Sequence, residues 1–242
     1  MESSPSAKEK LPILSEAEEM LAEIDQLLGM SEKQASPELL KQLDSLKQNF
    51  RPGQIYIPHT KQKELHQSKA SYRIAVPGNR WGKSTWGAEE IAEWLCGTHP
   101  DHPEAQKYLP HRILIVSPDT SSGVEVPLEK LKEAFARKPN YDLIPVDKRT
   151  HRYICPQTGS TVKLMSTSQE EENLQGREFD IIWFDELDKE PKKYDELTTR
   201  MVGSKWEGKI IVTATRKRIK WFDKRVLKNP KVDKFVVTGQ TD

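Results

Sequence analysis

Cysteine is scarce. Two residues in 242, Cys96 and Cys155, lie far apart in the chain, which excludes a disulfide framework or a cysteine-based metal site as the organising element. The six histidines lack ligand spacing. His99, His102 and His111 fall in a proline-containing connection and are expected as solvated loop residues. No apolar run reaches the length of a membrane span, and Met1-Glu2-Ser3-Ser4 carries no basic, apolar signal pattern. A soluble, cytoplasmic chain with no membrane partner is the expectation. No internal repeat is evident. There is also almost no net charge, +1 overall, yet the charge is uneven. Acids such as Glu16, Glu18, Glu19, Glu23 and Asp25 dominate residues 1–50. The far end, from Lys205 to Lys234, is basic. A basic end is compatible with contact to a phosphate backbone and equally with a solvated charged surface.

What is present is concentrated in two motifs. The first is Ala75-Val76-Pro77-Gly78-Asn79-Arg80-Trp81-Gly82-Lys83-Ser84-Thr85. An apolar run, Tyr72 to Val76, leads in as a strand. A glycine-containing turn follows, then a helix-like run through Trp94. This pattern reads as a phosphate-binding loop, whose backbone N–H groups surround phosphate oxygens at a helix N-terminus. Lys83 would reach the β- and γ-phosphates and Ser84 would sit on Mg²⁺. Pro77 stands where the first glycine of the motif usually falls. It removes one N–H donor and fixes φ, so the start of this loop must differ from the common form.

The second motif is Phe179-Asp180-Ile181-Ile182-Trp183-Phe184-Asp185-Glu186. A short apolar run of this kind reads as a buried parallel strand. Ligands in open α/β sheets bind at the carboxyl edge of such strands, where the two acids stand. Asp185 would hold Mg²⁺, directly or through water, and Glu186 would orient and deprotonate an attacking water.

Around these motifs the chain reads as follows. Residues 1–12 form a leader rich in Ser, Pro, Lys and Glu, expected to be disordered. Residues 13–54 hold two amphipathic helices. One is capped by Ser15 and Glu18 and carries Met20, Leu21, Ile24, Leu27 and Leu28. The other begins at Ser36-Pro37 and carries Leu39, Leu40, Leu43 and Leu46. Together they suggest an N-terminal helical hairpin. Residues 55–215 form the ATPase core, with strands at Arg112–Ser117 and Lys209–Thr213. Helices are expected at 126–136 and 192–202, and a hairpin around Pro156-Gln157-Thr158-Gly159. Residues 216–242 form a basic lid or linker. Strand–helix alternation argues an α/β fold with a mainly parallel sheet flanked by helices. Gln62, ahead of the loop, has an amide able to offer a donor and an acceptor to an adenine edge. Gln67 is its rival, and a surface glutamine is the plain alternative.

Taken in order, several elements resemble the ATPase domain of the large terminase subunit of tailed bacteriophages. They are the Gln62 segment, Gly78-Asn79-Arg80-Trp81-Gly82-Lys83-Ser84, Leu174-Gln175-Gly176-Arg177, Ile181 to Glu186, and Thr213-Ala214-Thr215. The resemblance covers roughly residues 55–240. It implies a RecA-like P-loop NTPase of the ASCE class, using ATP and Mg²⁺ to move double-stranded DNA into a procapsid in the host cytoplasm. It implies phosphate and Mg²⁺ binding by Lys83 and Ser84, Mg²⁺ coordination by Asp185, and catalysis by Glu186. Thr213, Ala214 and Thr215 would form the coupling motif that senses the γ-phosphate. Arg80 would act on the γ-phosphate within its own subunit, or Arg177 on a neighbour's as an arginine finger, with Arg200 a weaker candidate. Implied partners are a ring of identical subunits, a pentamer, on a portal, together with the small terminase subunit and a nuclease domain.

The chain ends at Asp242, 27 residues beyond Thr215. That remainder leaves no room for a nuclease domain or for a second RecA-like domain, so the nuclease is expected to be separate or excised. A helicase-like ATPase fragment and a nucleotide-binding docking module without turnover are the competing readings. Glu186 argues against the second.

Overall fold

The computed structural model describes residues 56–78, 80–118, 123–169, 178–201, 208–215 and 219–239. The leader, the two N-terminal helices, Asn79 and the Leu174–Arg177 run lie outside the described residues.

The first element is helix α1, Thr60–Gln67. Its Lys-Gln-Lys-Glu-Leu stretch consists of good helix formers, and a capping box joins His59 to Gln62. Strand β1, Tyr72–Ala75, runs into the glycine loop, and helix α2, Lys83–Cys96, follows it. Helix α2 stops at Gly97, whose left-handed φ of 68° lets its N–H reach the Trp94 carbonyl. A short helix α3, Glu104–Lys107, precedes strand β2, Arg112–Ser117, and helix α4 spans Glu125–Ala136. Strands β3, Ile144–Asp147, β4, Arg152–Cys155, and β5, Ser160–Ser166, form an antiparallel ribbon. Strand β6, Ile181–Asp185, helix α5, Lys192–Thr199, and strand β7, Lys209–Thr213, follow. Helix α6, Lys220–Phe222, continues into a π-helical turn, Asp223–Leu227, and strand β8, Lys234–Val237, ends the fold.

The eight strands make one mixed sheet in the order β3-β4-β5-β2-β6-β7-β1-β8. All pairings from β5 to β8 are parallel. The period-2 alternation of β2 and β6 explains the layering. Ile113, Ile115, Ile181 and Trp183 enter one core with Trp86, Ile91 and Leu131. Leu114, Val116, Ile182 and Phe184 enter the other with Tyr194, Leu197 and Phe222. Helices therefore cover both faces, and the sheet between them carries the apolar runs that a doubly covered parallel sheet requires.

Helix α2 lies close against the acidic strand at Gly87. A Cβ there would come within 2.5 Å of the Trp183 ring. Gly87→Ala is expected to cost about 1–3 kcal/mol, because the indole is fully buried and cannot retreat. Chemical denaturation checks this. Unchanged stability would mean that the helix can move away from the sheet.

Three expectations are revised. Residues 216–242 contribute β8 to the sheet, in register with β1 from Tyr72↔Lys234 to Ala75↔Val237. They are thus not merely a lid or linker. A four-residue strand that opens on a lysine gives little pattern in the sequence. His99, His102 and His111 are buried, not solvated. His102 bonds the His66 carbonyl at 3.0 Å and His111 the Ala105 carbonyl at 2.7 Å. The helix expected over 192–202 ends at Thr199.

Candidate active site

Three strand ends define the site. Register pairs Ala75 with Thr213 and Thr213 with Asp185, so β1, β7 and β6 finish level at one edge of the sheet. Strand β7 thus stands between the strand that feeds the loop and the strand that ends in acids. This arrangement puts Lys83 and Ser84, at the start of α2, across from Asp185, with the Thr213 segment alongside.

The loop from Val76 to Gly82 is held from three sides. Val76 N donates to Val237 O at 2.9 Å and Gly78 N to Gly239 O at 3.2 Å, so β8 and its continuation secure the start. Pro77 brings no N–H to this stretch. Arg80 and Gly82 both adopt left-handed backbone, at φ 66° and 82°. Such turns point successive N–H groups inward and make anion-binding concavities. Gly82 also has Gln62 Nε2 3.0 Å from where a Cβ would stand. Trp81 buries its ring, edge-on to His59 at 4.5 Å, so its indole faces the core and not the loop's interior.

Gln62 is buried against the loop. Its Nε2 lies 3.3 Å from Trp81 O and 3.4 Å from Gly82 O, and its Oε1 accepts from His59 N at 3.1 Å. The amide expected to read adenine is here a brace for the loop. Gln67 is exposed at the end of α1.

The polar groups at the strand ends satisfy one another. Lys83 Nζ donates to Gly78 O at 3.2 Å. Ser84 Oγ donates to Asp185 Oδ1 at 3.1 Å, and Thr213 Oγ1 to the same oxygen at 2.7 Å. Trp183 Nε1 in turn donates to Thr213 Oγ1 at 2.8 Å. Glu186 has left-handed backbone, φ 72°, and its N–H reaches Thr213 O at 2.6 Å. Its carboxylate accepts from Thr215 N at 2.7 and 2.8 Å and from Thr215 Oγ1. Ala214 is buried between the two threonines, its N–H on Ala75 O. Thr85 lies one residue further along α2 and is half-buried. The donor set fits a magnesium-bound triphosphate. Hydroxyl and carboxylate oxygens of the kind Mg²⁺ takes stand side by side, next to an ammonium and an anion-binding turn.

Burial raises the Asp185 carboxyl pKa above its ordinary 3.8, against the opposing hydrogen bonds from Thr213 and Ser84. The sign follows from linkage. An acid whose pKa is raised on folding costs no stability below its ordinary pKa, and the cost grows as pH rises through the raised value. Asp185→Asn is therefore expected to raise the thermal midpoint of the nucleotide-free protein at pH 7. It should have little effect near pH 3. A lowered midpoint at pH 7 would show that the carboxylate is net stabilising.

The arginines separate clearly. Arg80 is exposed and, among the described residues, has no hydrogen bond or ion pair. Arg200 is bound to Glu196 at 3.1 Å, one turn back on α5. Arg177 lies outside the described residues. The tie from Glu186 to Thr215 and the bracing by Gln62 emerge only in the fold, and no sequence spacing signals either.

The comparison that decides the family is one of sequence. Residues 74–235 match the family described as terminase large subunit, T4likevirus-type, N-terminal. The chain belongs to this terminase family. Structural comparison agrees on the fold. The terminase chain is similar to the large terminase of a thermophilic bacteriophage, at 13% identity and a TM-score of 0.60 over 76% of this chain and 46% of that one. It is similar to the Thermus phage P74-26 large terminase ATPase domain, at 17% identity and a TM-score of 0.55 over 85% of each chain. The thermophilic-phage protein in complex with ATP-gamma-S also matches, at 13% identity and a TM-score of 0.52 over 74% of this chain and 44% of that one. The terminase chain thus spans less than half the length of that thermophilic-phage protein. Comparison with curated protein sequences finds no significant match.

Proposed function

We propose that this terminase chain binds and hydrolyses Mg·ATP where β1, β7 and β6 end, and that hydrolysis drives double-stranded DNA into a procapsid. One observation carries the reading. Ser84, Asp185 and Thr213 share a single oxygen contact beside Lys83, with Glu186 the next residue along. Structures of the thermophilic-phage large terminase in complex with ADP and with ATP-gamma-S support a nucleotide as the ligand.

Each group has a task. Lys83 exchanges the Gly78 carbonyl for phosphate oxygens, and Asn79, Arg80, Trp81 and Gly82 offer their backbone N–H groups, while the Gly78 N–H stays on Gly239 O. Ser84 and Asp185 would hold Mg²⁺ through their oxygens, and the ion would supply charge neutralisation at the phosphates. Glu186 orients a water and accepts its proton. Its carboxylate must first leave Thr215, because its oxygens are engaged there. That exchange links the phosphate site to the chain beyond Thr215. From there Trp221 Nε1 donates to Asp188 O at 3.1 Å, just past Glu186. In this reading Thr213-Ala214-Thr215 passes the state of the nucleotide to the segment after it. The motor is a ring of such chains on a portal, served by the small terminase subunit and a nuclease domain, in the host cytoplasm.

Lys83→Ala tests the site. It removes a charge-assisted contact to phosphate, of a kind about twice as strong as a neutral one. Calorimetry is expected to show loss of Mg·ATP binding. Wild-type affinity in this variant would end the phosphate-loop assignment.

A further inference from the structure

Away from the strand ends, four metal-ligating side chains converge in the core. His66 lies in the last turn of α1. Glu90 and Glu93 lie three apart on α2, on one face. His99 follows Gly97 at the end of that helix. One ligand atom from each lies within 4.8 Å of all the others. His66 Nδ1 is 2.5 Å from Glu90 Oε2 and 3.9 Å from Glu93 Oε2. His99 Nε2 is 3.0 Å from Glu90 Oε1 and 3.4 Å from Glu93 Oε2. The side chains of Glu90 and His99 are fully buried, and that of Glu93 is 16% exposed. None of the four takes part in the nucleotide site.

One feature distinguishes this cluster from a closed ion-pair network. Glu90 is fully engaged, its Oε1 by Arg73, by Trp94 Nε1 at 2.7 Å and by His99 Nε2 at 3.0 Å, its Oε2 by His66 Nδ1. Among the described residues Glu93 Oε2 is buried and accepts no hydrogen bond, its nearest ring nitrogens standing at 3.4 Å on His99 and 3.9 Å on His66. A buried carboxylate oxygen without a partner is costly, and a cation between it and the two imidazoles removes the cost.

We propose that His66, Glu90, Glu93 and His99 form a site for a divalent transition-metal ion, zinc by its ligand chemistry. Two imidazole nitrogens and two carboxylate oxygens suit zinc, whereas Mg²⁺ and Ca²⁺ favour oxygen alone. Zinc bonds to such atoms at about 2.0–2.2 Å in a tetrahedron, which puts ligand atoms roughly 3.3–3.6 Å apart. With Glu90 Oε2 as its ligand atom, the separations of 2.5, 3.4 and 3.9 Å lie on both sides of that range, so the side chains must shift by several tenths of an ångström as the ion enters. Binding releases the proton that His66 Nδ1 shares with Glu90. His66 Nε2 then donates to Tyr56 Oη, 3.0 Å away, an outer-shell bond of the usual kind. His99 needs one adjustment. Asp101 N donates to its Nδ1 at 3.2 Å, so the metal-free ring carries its proton on Nε2. Ligation through Nε2 moves that proton to Nδ1 and opens the Asp101 contact. Arg73 stays on Glu90 Oε1, offsets one carboxylate charge, and tempers the affinity. The ion would tie α1, which carries the Gln62 brace, to the helix that begins at Lys83.

Metal analysis of the purified chain by plasma mass spectrometry, with Co²⁺ absorption of the metal-stripped protein, tests this. One zinc per chain and a ligand-field band typical of four-coordinate Co²⁺ are expected. Glu93→Gln keeps the side-chain shape and is expected to abolish both. Tyr56→Phe touches no ligand atom and is expected to weaken Co²⁺ binding about 10–100-fold. A folded wild-type chain that shows no Co²⁺ band and takes up no zinc would overturn the proposal. So would unchanged metal affinity in a folded Glu93→Gln protein. Neither outcome bears on the nucleotide site, because no phosphate-loop group is involved.

Discussion

Glu186→Gln is expected to bind Mg·ATP with near wild-type affinity and to lose turnover by about 10²–10⁴-fold. The amide preserves length and shape, and its oxygen still accepts from Thr215 N as the carboxylate does. What it cannot do is take a proton from water. The two carboxylates should therefore behave differently. Asp185→Asn alters the oxygen that both Ser84 and Thr213 contact, so it should weaken Mg²⁺-dependent binding as well as turnover. Calorimetry beside a phosphate-release assay separates the two. Normal turnover by Glu186→Gln would remove this residue from the chemistry.

A still larger effect is expected from an arginine. A finger that stabilises the charge of the transferring phosphoryl group is worth about 10³–10⁵ in rate. We propose that Arg177 supplies it to the site of a neighbouring subunit. Arg177→Ala keeps its own Lys83 and Glu186, and Glu186→Gln keeps its own arginine. Each alone should be nearly inactive, while a mixture should regain part of the activity at interfaces that pair an intact Arg177 with an intact Glu186. An active Arg177→Ala protein with an inactive Arg80→Ala protein, and no gain on mixing, would assign the role to Arg80 within one subunit. Arg80 is exposed on the loop and has no partner among the described residues.

The parts of the fold that can be read in the sequence are those with strong local patterns. The runs Arg112–Ser117, Ile181–Asp185 and Lys209–Thr213 are buried on both faces, so apolar residues are nearly continuous and mark the strands directly. The turn Pro156 to Gly159 announces the β4–β5 hairpin. Strand β8 is short and begins on Lys234, and its membership in the sheet depends on pairing with β1, far away in the chain. The histidines mislead for a similar reason. Their burial comes from the packing of the segment after Gly97 on Trp94 and α1, not from neighbours in sequence.

The candidate site divides in the same way. Lys83, Ser84, Asp185 and Glu186 belong to two motifs that can be read from local sequence, and the fold brings both to one edge of the sheet. Gln62 belongs to neither. In sequence its amide reads as free for a base, but α1 sets it under Trp81 and Gly82, where backbone carbonyls compete for it. The tie between Glu186 and Thr215 depends on the left-handed turn at Glu186 and on the register of β6 with β7. Neither can be counted from residue spacing.

The central claim is that this chain turns over ATP through the groups at the ends of β1, β7 and β6. Phosphate release from ATP by the purified chain, followed against Mg²⁺, protein concentration and added duplex DNA, tests it most directly. The account predicts Mg²⁺-dependent release that rises with self-association and with DNA and disappears in Glu186→Gln. Tight Mg·ATP binding with no phosphate release at any protein concentration, with or without DNA, would contradict it.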